Sequence, residues 1–226
     1  MKTRWLISLS FLVMLLGFTS IYPAITGAEK AEEAKLRIVH ASPNTSAVDV
    51  YVNKDKIISD MGFKDVSEYL SVEEGSYDIK LYSSGSKPDD SDPVLEENVT
   101  VMGGEGYTFA AGGISSEISL FEFKDELAPS ESEAKVRVIH LSPDAPAIDV
   151  FSLETPLVKA LEYKKASVYE TLPEGNYSFD IKPEGQDKAI FNLPNVELKN
   201  GKNYTIIGLG LLKGDPAFDM IISQDN

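Results

Sequence analysis

Residues 35–43, Lys-Leu-Arg-Ile-Val-His-Ala-Ser-Pro, return at 135–143 as Lys-Val-Arg-Val-Ile-His-Leu-Ser-Pro, and each copy runs on to an Asp-Val pair, Asp49-Val50 and Asp149-Val150. A repeat of this length is a whole domain copied in tandem, well beyond the roughly 20 to 50 residues of a solenoid unit. Whatever the chain folds into is therefore made twice. The copies align without a gap from Lys35/Lys135 to Tyr77/Tyr177, taking in Phe63/Tyr163, Lys64/Lys164, Ser67/Ser167, Tyr69/Tyr169 and Glu74-Gly75/Glu174-Gly175. Further on the offset falls from 100 to 97, pairing Asn98-Val99 with Asn195-Val196 and Tyr107-Thr108 with Tyr204-Thr205. The three residues lost fall in the loop Ser83 to Pro93, where a change of length costs little.

The hydrophobic period is that of strands. Leu36, Ile38 and His40 alternate with Arg37 and Val39, and Val48, Val50 and Val52 alternate with Asp49, Tyr51 and Asn53; a period of two puts one set on each face of a sheet. Between these strands, Ser-Pro-Asn-Thr-Ser and Ser-Pro-Asp-Ala-Pro are turn sequences. Further strands are read at 77–82, 97–102, 107–112 and 118–123, with counterparts at 177–181, 196–199, 204–209 and 217–222. No segment holds a helical period over three turns. Short strands separated by Gly, Pro and Asp turns predict an all-β chain of two β-sandwich domains, immunoglobulin-like or transthyretin-like. The Leu, Gly and Tyr of 70–77 and 172–177 have the spacing of a tyrosine corner, which makes Tyr77 and Tyr177 structural: the ring packs in the core and the hydroxyl bonds backbone upstream.

The first residues read as a secretory signal peptide, with Lys2 and Arg4 before the apolar run 5–18 and small residues at Thr26-Gly27-Ala28 for cleavage after Ala28. The run falls short of the roughly 20 residues of a membrane span. The expected organisation is a signal peptide (1–28), a polar lead-in (29–34), a first sandwich (35–124), an acidic linker (125–134) and a second sandwich (135–226). Cleavage removes two cations and moves the formal charge from -15 to -17. Such acidity disfavours nucleic acid, whose phosphates are held by Lys and Arg, and disfavours attachment to anionic lipid. The absence of cysteine excludes disulfides, thiolate catalysis and Cys-ligated metal. An exported animal domain of this size would usually carry disulfides, so a bacterial envelope or extracellular protein is expected.

The string Arg137 to Phe151, Arg-Val-Ile-His-Leu-Ser-Pro-Asp-Ala-Pro-Ala-Ile-Asp-Val-Phe, resembles the opening of the bacterial domain-of-unknown-function family numbered 4397. In the first copy Asn44, Thr45 and Ser46 replace the Asp-Ala-Pro part, while Arg37, His40, Ser42, Pro43, Asp49 and Val50 stay. The resemblance covers both copies. It implies secreted or surface-exposed β-sandwich repeats and brings no catalytic residues with it.

His40 and His140 are the only histidines, each just before a Ser-Pro turn. With Ser42 and Asp49, or Ser142 and Asp149, they supply the residue types of a hydrolytic triad. No G-x-S-x-G elbow accompanies them, and a serine before proline is a turn residue. The expectation is that each histidine fixes its turn by a hydrogen bond to backbone or carboxylate, and the six residues are retained as candidate binding residues. Arg37 with Asp49 and Arg137 with Asp149 are read as structural cross-strand ion pairs that help fix register. Asp89, Asp90 and Asp92 put three carboxylates in one loop, but without the D-x-D-x-D-G spacing of a calcium site; a solvated acidic loop is favoured. Tyr51, Tyr69, Tyr82, Phe151, Tyr163 and Tyr169 offer flat faces for sugar rings or partner side chains. The glycines at 103–106 and 112–113 are read as hairpin turns. Together these readings point to a non-enzymatic secreted or cell-envelope binding and spacer protein. No cofactor is implied, and the partner is an unidentified extracellular protein or polysaccharide. An extracellular hydrolase and a calcium-dependent structural module are the alternatives.

Overall fold

The computed structural model describes residues 32–114 and 117–226; the expected signal peptide lies outside them. The first copy contributes β1 (Ala34–His40), β2 (Val48–Val52), β3 (Asp55–Met61), β4 (Leu70–Val72), β5 (Gly75–Ser83), β6 (Leu95–Val101), β7 (Gly106–Gly112) and β8 (Ser119–Asp125). The second contributes β9 (Ala134–His140), β10 (Ile148–Ser152), β11 (Thr155–Leu161), β12 (Lys165–Ala166), β13 (Glu170–Leu172), β14 (Gly175–Pro183), β15 (Phe191–Leu198), β16 (Asn203–Leu209) and β17 (Asp219–Gln224). Each copy is a two-sheet sandwich. In the first, the order β3-β2-β5-β6 faces β4-β1-β7-β8; in the second, β11-β10-β14-β15 faces β12-β9-β16-β17, with β13 also on β9. β1 runs parallel to β7, Leu36 opposite Tyr107, and β9 parallel to β16, Val136 opposite Tyr204.

Sequence periodicity explains how the sandwiches join. Along β1, Ala34, Leu36 and Ile38 pack into the first core with Val50, Ile79, Leu81 and Phe109. Val39, on the opposite face, joins Ala41, Ala110 and Phe123 in contact with Ile139, Leu141, Ile207 and Leu209 of the second copy. The four sheets therefore form three apolar layers: one inside each sandwich and a third between β1-β7-β8 and β9-β16-β17. Strands with both faces covered lose the polar half of their alternation, which is why β1, β7, β9 and β16 are apolar along so much of their length. Each fully buried aliphatic side chain in the middle layer contributes about 1.5–3 kcal/mol. Residues 31–226 make one compact unit.

The tyrosine corners form as expected. The Tyr77 hydroxyl donates to Glu73 O at 2.9 Å and the Tyr177 hydroxyl to Pro173 O at 2.8 Å, with both rings against the cores. Three boundaries differ from the sequence reading. Ala34 and Ala134 are fully buried strand residues, and Asp125 closes β8 with its side chain buried, so the connection between sandwiches runs over 126–133. Edge strands β3 and β11 escaped a period-two reading because bulges interrupt them, with Asp60 at φ 56° and Ala160 at φ 50°. Likewise β15 begins at Phe191, and Asn195, at φ 58°, breaks its alternation before Val196.

Candidate functional site

The most polar part of the interior lies between the sandwiches and is made twice. Arg37 Nε donates to Thr108 Oγ1 at 2.9 Å, Nη1 to Ser223 Oγ at 2.8 Å, and Nη2 to Asp225 Oδ1 at 2.6 Å. In the mirrored arrangement Arg137 Nε donates to Thr205 Oγ1 at 2.9 Å, Nη1 to Lys124 O at 2.6 Å, and Nη2 to Asp125. Each guanidinium rests on a tyrosine of its own copy, 4.8 Å from the Tyr69 centroid and 4.9 Å from that of Tyr169. Those tyrosines complete the circuit by donating to the aspartates, Tyr69 to Asp125 at 2.6 Å and Tyr169 to Asp225 at 2.8 Å. Arg37 and Arg137 therefore each grip the other copy's last-strand aspartate, which the hydroxyls of the Thr and Tyr in the aspartate's own copy orient.

Electrostatics follow from this burial. Desolvation alone would lower Arg37, but Asp225, Tyr69 and Asp125 outweigh it and hold the guanidinium above its ordinary value. Burial pushes the Asp225 carboxyl upward, opposed by Arg37 and Arg137. Donation from Arg37, Tyr169 and Thr205 to one carboxylate is the geometry of an ionised aspartate. Burial also pushes the Tyr69 and Tyr169 hydroxyls far above pH 10, so both remain donors.

The expected pairing of Arg37 with Asp49 and of Arg137 with Asp149 is thus corrected. Those residues sit on different sheets, and the arginines turn into the middle layer. Asp49 Oδ1 instead accepts the Asp60 N–H at 2.9 Å and its Oδ2 accepts Lys56 at 2.9 Å; Asp149 takes the Ala160 N–H at 2.8 Å and Lys159 at 3.1 Å. Each clamps the left-handed bulge of the neighbouring edge strand. The Asp60 N–H and Lys56 lower Asp49, and at Asp149 the Ala160 N–H and Lys159 outweigh desolvation to do the same.

The histidine constellations do not converge on a triad. His40 Nε2 lies 3.2 Å from Ser46 O and His140 Nε2 3.0 Å from Pro146 O, so each ring closes its own turn. His140 Nδ1 accepts the Ser142 N–H at 3.3 Å, which fixes its tautomer. Ser42 Oγ donates to Gly113 O and Ser142 Oγ to Gly210 O, both at 2.7 Å. All six candidate binding residues, His40, Ser42, Asp49, His140, Ser142 and Asp149, are buried. Burial lowers both histidines, which are therefore neutral in the folded protein at pH 7.

Asp89 and Asp90 are exposed, as is Asp92, and among the described residues no group of three His, Asp or Glu side chains is placed to hold a metal ion. Of the aromatic residues, Tyr69 and Tyr169 belong to the buried network, and Tyr163 packs on Phe121 at 6.3 Å between the sandwiches. Tyr51 and Tyr82 meet edge to face at 5.2 Å and floor a cleft of about 530 Å3 on the outer face of β2 and β5. Sequence reasoning missed Asp125, Asp225, Thr108 and Thr205. A signal was present: Asp125 follows Tyr69, and Asp225 follows Tyr169, by the same 56 residues.

No curated protein matches the chain. Among solved structures, the Bacillus anthracis TIE protein is similar at 13% identity and a TM-score of 0.27, over 80% of this chain and 34% of that one. This chain thus spans about a third of that protein's length. A candidate cell adhesion protein from Bacteroides fragilis is similar at 9% identity and a TM-score of 0.24, over 86% of this chain and 97% of that one. Among the described residues no helix is long and apolar enough to cross a membrane. The pattern of the family described as Domain of unknown function (DUF4397) matches residues 34–151 and 134–226, one match beginning at each copy's first strand, and the chain belongs to that family.

Proposed function

We propose that the chain is a non-enzymatic, exported binding and spacer protein of the bacterial cell envelope. One observation carries this reading: the side chains with chemical potential, His40, Ser42 and Asp49 and their second-copy equivalents, are all spent on turns and bulges, leaving the outer sheets as the surfaces available to a partner. A hydrolase needs nucleophile, base and carboxylate within reach of one another and of substrate. Here each is bonded to a different part of the scaffold. The middle layer, with its crossed Arg–Asp clamps, fixes the two sandwiches into a single body suited to holding a binding surface at a set distance. The acidic charge and the apolar leader support export into an aqueous compartment.

The reading is tested by incubating the chain without its first 28 residues with cell-wall material and culture supernatant, and by screening it against ester, peptide and glycoside substrates. Retention of a specific wall or extracellular component, with turnover no greater than that of His140→Ala, is expected. Turnover abolished by His140→Ala would overturn the proposal.

A further inference from the structure

The two copies agree in their cores and differ on their outer faces, and one difference builds a cleft. In the first copy the loop after β5, residues 84–94, is four residues longer than its counterpart at 184–190. It supplies Pro88 and Asp89 as a wall beside the phenols of Tyr51 and Tyr82. Its own bonds set its shape: Asp90 N–H and Ser91 Oγ both donate to Lys87 O at 3.0 Å, and Gly85 N–H reaches Asp49 Oδ2 at 3.2 Å. The opposite wall is the β2–β3 turn, where Asn53 is pinned because its Oδ1 accepts the Asp78 N–H at 3.0 Å. That leaves Asn53 Nδ2 as a donor. Lys54 and Lys80 line the rim, the Lys80 ammonium being held 2.6 Å from Glu96 Oε1 with further N–H donors to spare. The second copy has Phe151, Leu153, Glu154, Asp180 and Lys182 at the positions of Tyr51, Asn53, Lys54, Lys80 and Tyr82, so its equivalent face replaces two cations by carboxylates and one phenol by a lysine that lies over Phe151, and has a shorter wall.

We infer that this cleft is a carbohydrate site that takes a neutral pyranose unit of a polysaccharide, an assignment that rests on the binding function proposed above. A cleft of this size is in the range of small-ligand sites, which combine an apolar floor with a few fixed polar groups. A pyranose ring is amphipathic in the same sense. Its C–H face suits the phenol rims and Pro88, and its hydroxyls need both donors, here Lys54, Lys80 and Asn53 Nδ2, and an acceptor, here the Asp89 carboxylate. Charge decides between neutral and acidic glycans. The chain carries a formal charge of -15, and its field opposes a polyanion while leaving a neutral chain unaffected.

The second copy supplies the controls, because Tyr82→Lys and Lys54→Glu install residues that the same scaffold already carries there. The chain without its first 28 residues, 15N-labelled, is titrated with cellohexaose, maltohexaose and mannohexaose, and separately with hexagalacturonate. At least one neutral oligosaccharide is expected to shift the amides of Tyr51, Asn53, Lys54 and Tyr82 with a dissociation constant of about 0.1–1 mM. Tyr82→Lys, and deletion of residues 87–89, should each weaken that binding tenfold or more with native spectra elsewhere. Absence of shifts with all three neutral sugars, shifts confined to the second copy or unchanged by Tyr82→Lys, or binding to hexagalacturonate alone would overturn the assignment. Retention on cell-wall material, measured on the same proteins, separates the two claims. Wild-type retention without sugar shifts removes the ligand class and leaves the binding function, whereas loss of both removes the function as well.

Discussion

Replacing Arg37 by Met tests the crossed clamps most directly. The substitution keeps an unbranched stem for packing against Tyr69 but removes the charge that faces Asp225 at 2.6 Å. Both partners are essentially inaccessible, with side-chain exposures of 1% and 0%. Removing one member of a buried pair costs about 3–5 kcal/mol, because the other charge remains desolvated and unpaired. At a urea dependence of about 2 kcal/mol per molar, the unfolding midpoint should fall by roughly 2 M. Asp225→Leu should cost a similar amount, whereas the double variant Arg37→Met/Asp225→Leu should cost no more than either single change, since an apolar pair leaves no orphaned charge. A pH signature separates this mechanism from lost packing. Without Arg37, the buried Asp225 titrates above its unfolded value of about 3.9, so the folded state binds the proton more tightly and the variant recovers stability, relative to the wild type, as pH falls toward that raised value. Urea melts of the four proteins at pH 7 and pH 4.5 provide the comparison. Single-variant losses below about 1 kcal/mol, additive losses in the double variant, or an Arg37→Met deficit that is the same at both pH values would refute the argument.

Three further outcomes follow from hydrogen-bonded groups elsewhere. Burial lowers His40 and His140 below their unfolded value of about 6.5, so the unfolded chain binds protons more readily, and stability present above that pH is lost as pH falls through the window beneath it; the slope has a ceiling of about 1.4 kcal/mol per pH unit for each histidine, and the fall in melting temperature between pH 7.5 and 5 should be shallower in His40→Gln, which leaves the His140 contribution. The hydrogen-bonded carboxylate of Asp149 is lowered, so its contribution is present above about pH 3.9 and disappears on further acidification. Asp149→Ala should cost about 1–3 kcal/mol at pH 7 and speed hydrogen exchange at Ala160, whose N–H loses its acceptor. Tyr177→Phe, which removes only the hydroxyl bond to Pro173 O, should cost about 0.5–1.5 kcal/mol by urea melting and leave the near-ultraviolet spectrum of the core intact.

Most of the fold could be read from alternation and turn chemistry, and its exceptions have physical causes. β2, β5 and their counterparts keep a legible period of two because each turns one face to a sandwich core, whereas β1 and β9 are covered on both faces and show it only in part. β3 and β11 bulge at left-handed residues, so their apolar positions fall out of phase. The tyrosine corners were legible because that bond is local, from Tyr77 to Glu73. The role of Arg37 was not, because its aspartate lies 188 residues away, whereas Asp49 lies nearby in the chain. Both arginines announced themselves as charges inside apolar strands repeated at one offset. Finding their partners required knowing that the outer face of β1 packs on the second copy. The turn role of the buried histidines is legible, since a Ser-Pro segment ends the strand within reach of the ring.

Divergence between the copies shows how the middle layer selects one pairing. At its centre the first copy presents Ala110 and Gly112 on β7 where the second presents Ile207 and Leu209 on β16, and it has Val39 of β1 and the following Ala41 where the second has Ile139 of β9 and the following Leu141. Gly112 has no room for a side chain: a Cβ there would lie 2.9 Å from the Phe121 ring of the adjacent strand. Two first-copy faces brought together would oppose small residues to small ones and leave a void, and two second-copy faces would crowd eight large aliphatic side chains into the same space, the four of each face being Ile139, Leu141, Ile207 and Leu209. Both arrangements are penalised, since cavities and overpacking each cost on the order of 1–3 kcal/mol or more. The Arg–Asp clamps cannot make that choice, because both copies carry the same arginine, tyrosine and aspartate and would permit any combination. Polar residues therefore set the two-fold geometry of the contact, and apolar size sets which faces meet. The short connection over 126–133 then supplies a high effective concentration for the preferred partner, so the chain closes on itself rather than pairing like faces of two chains.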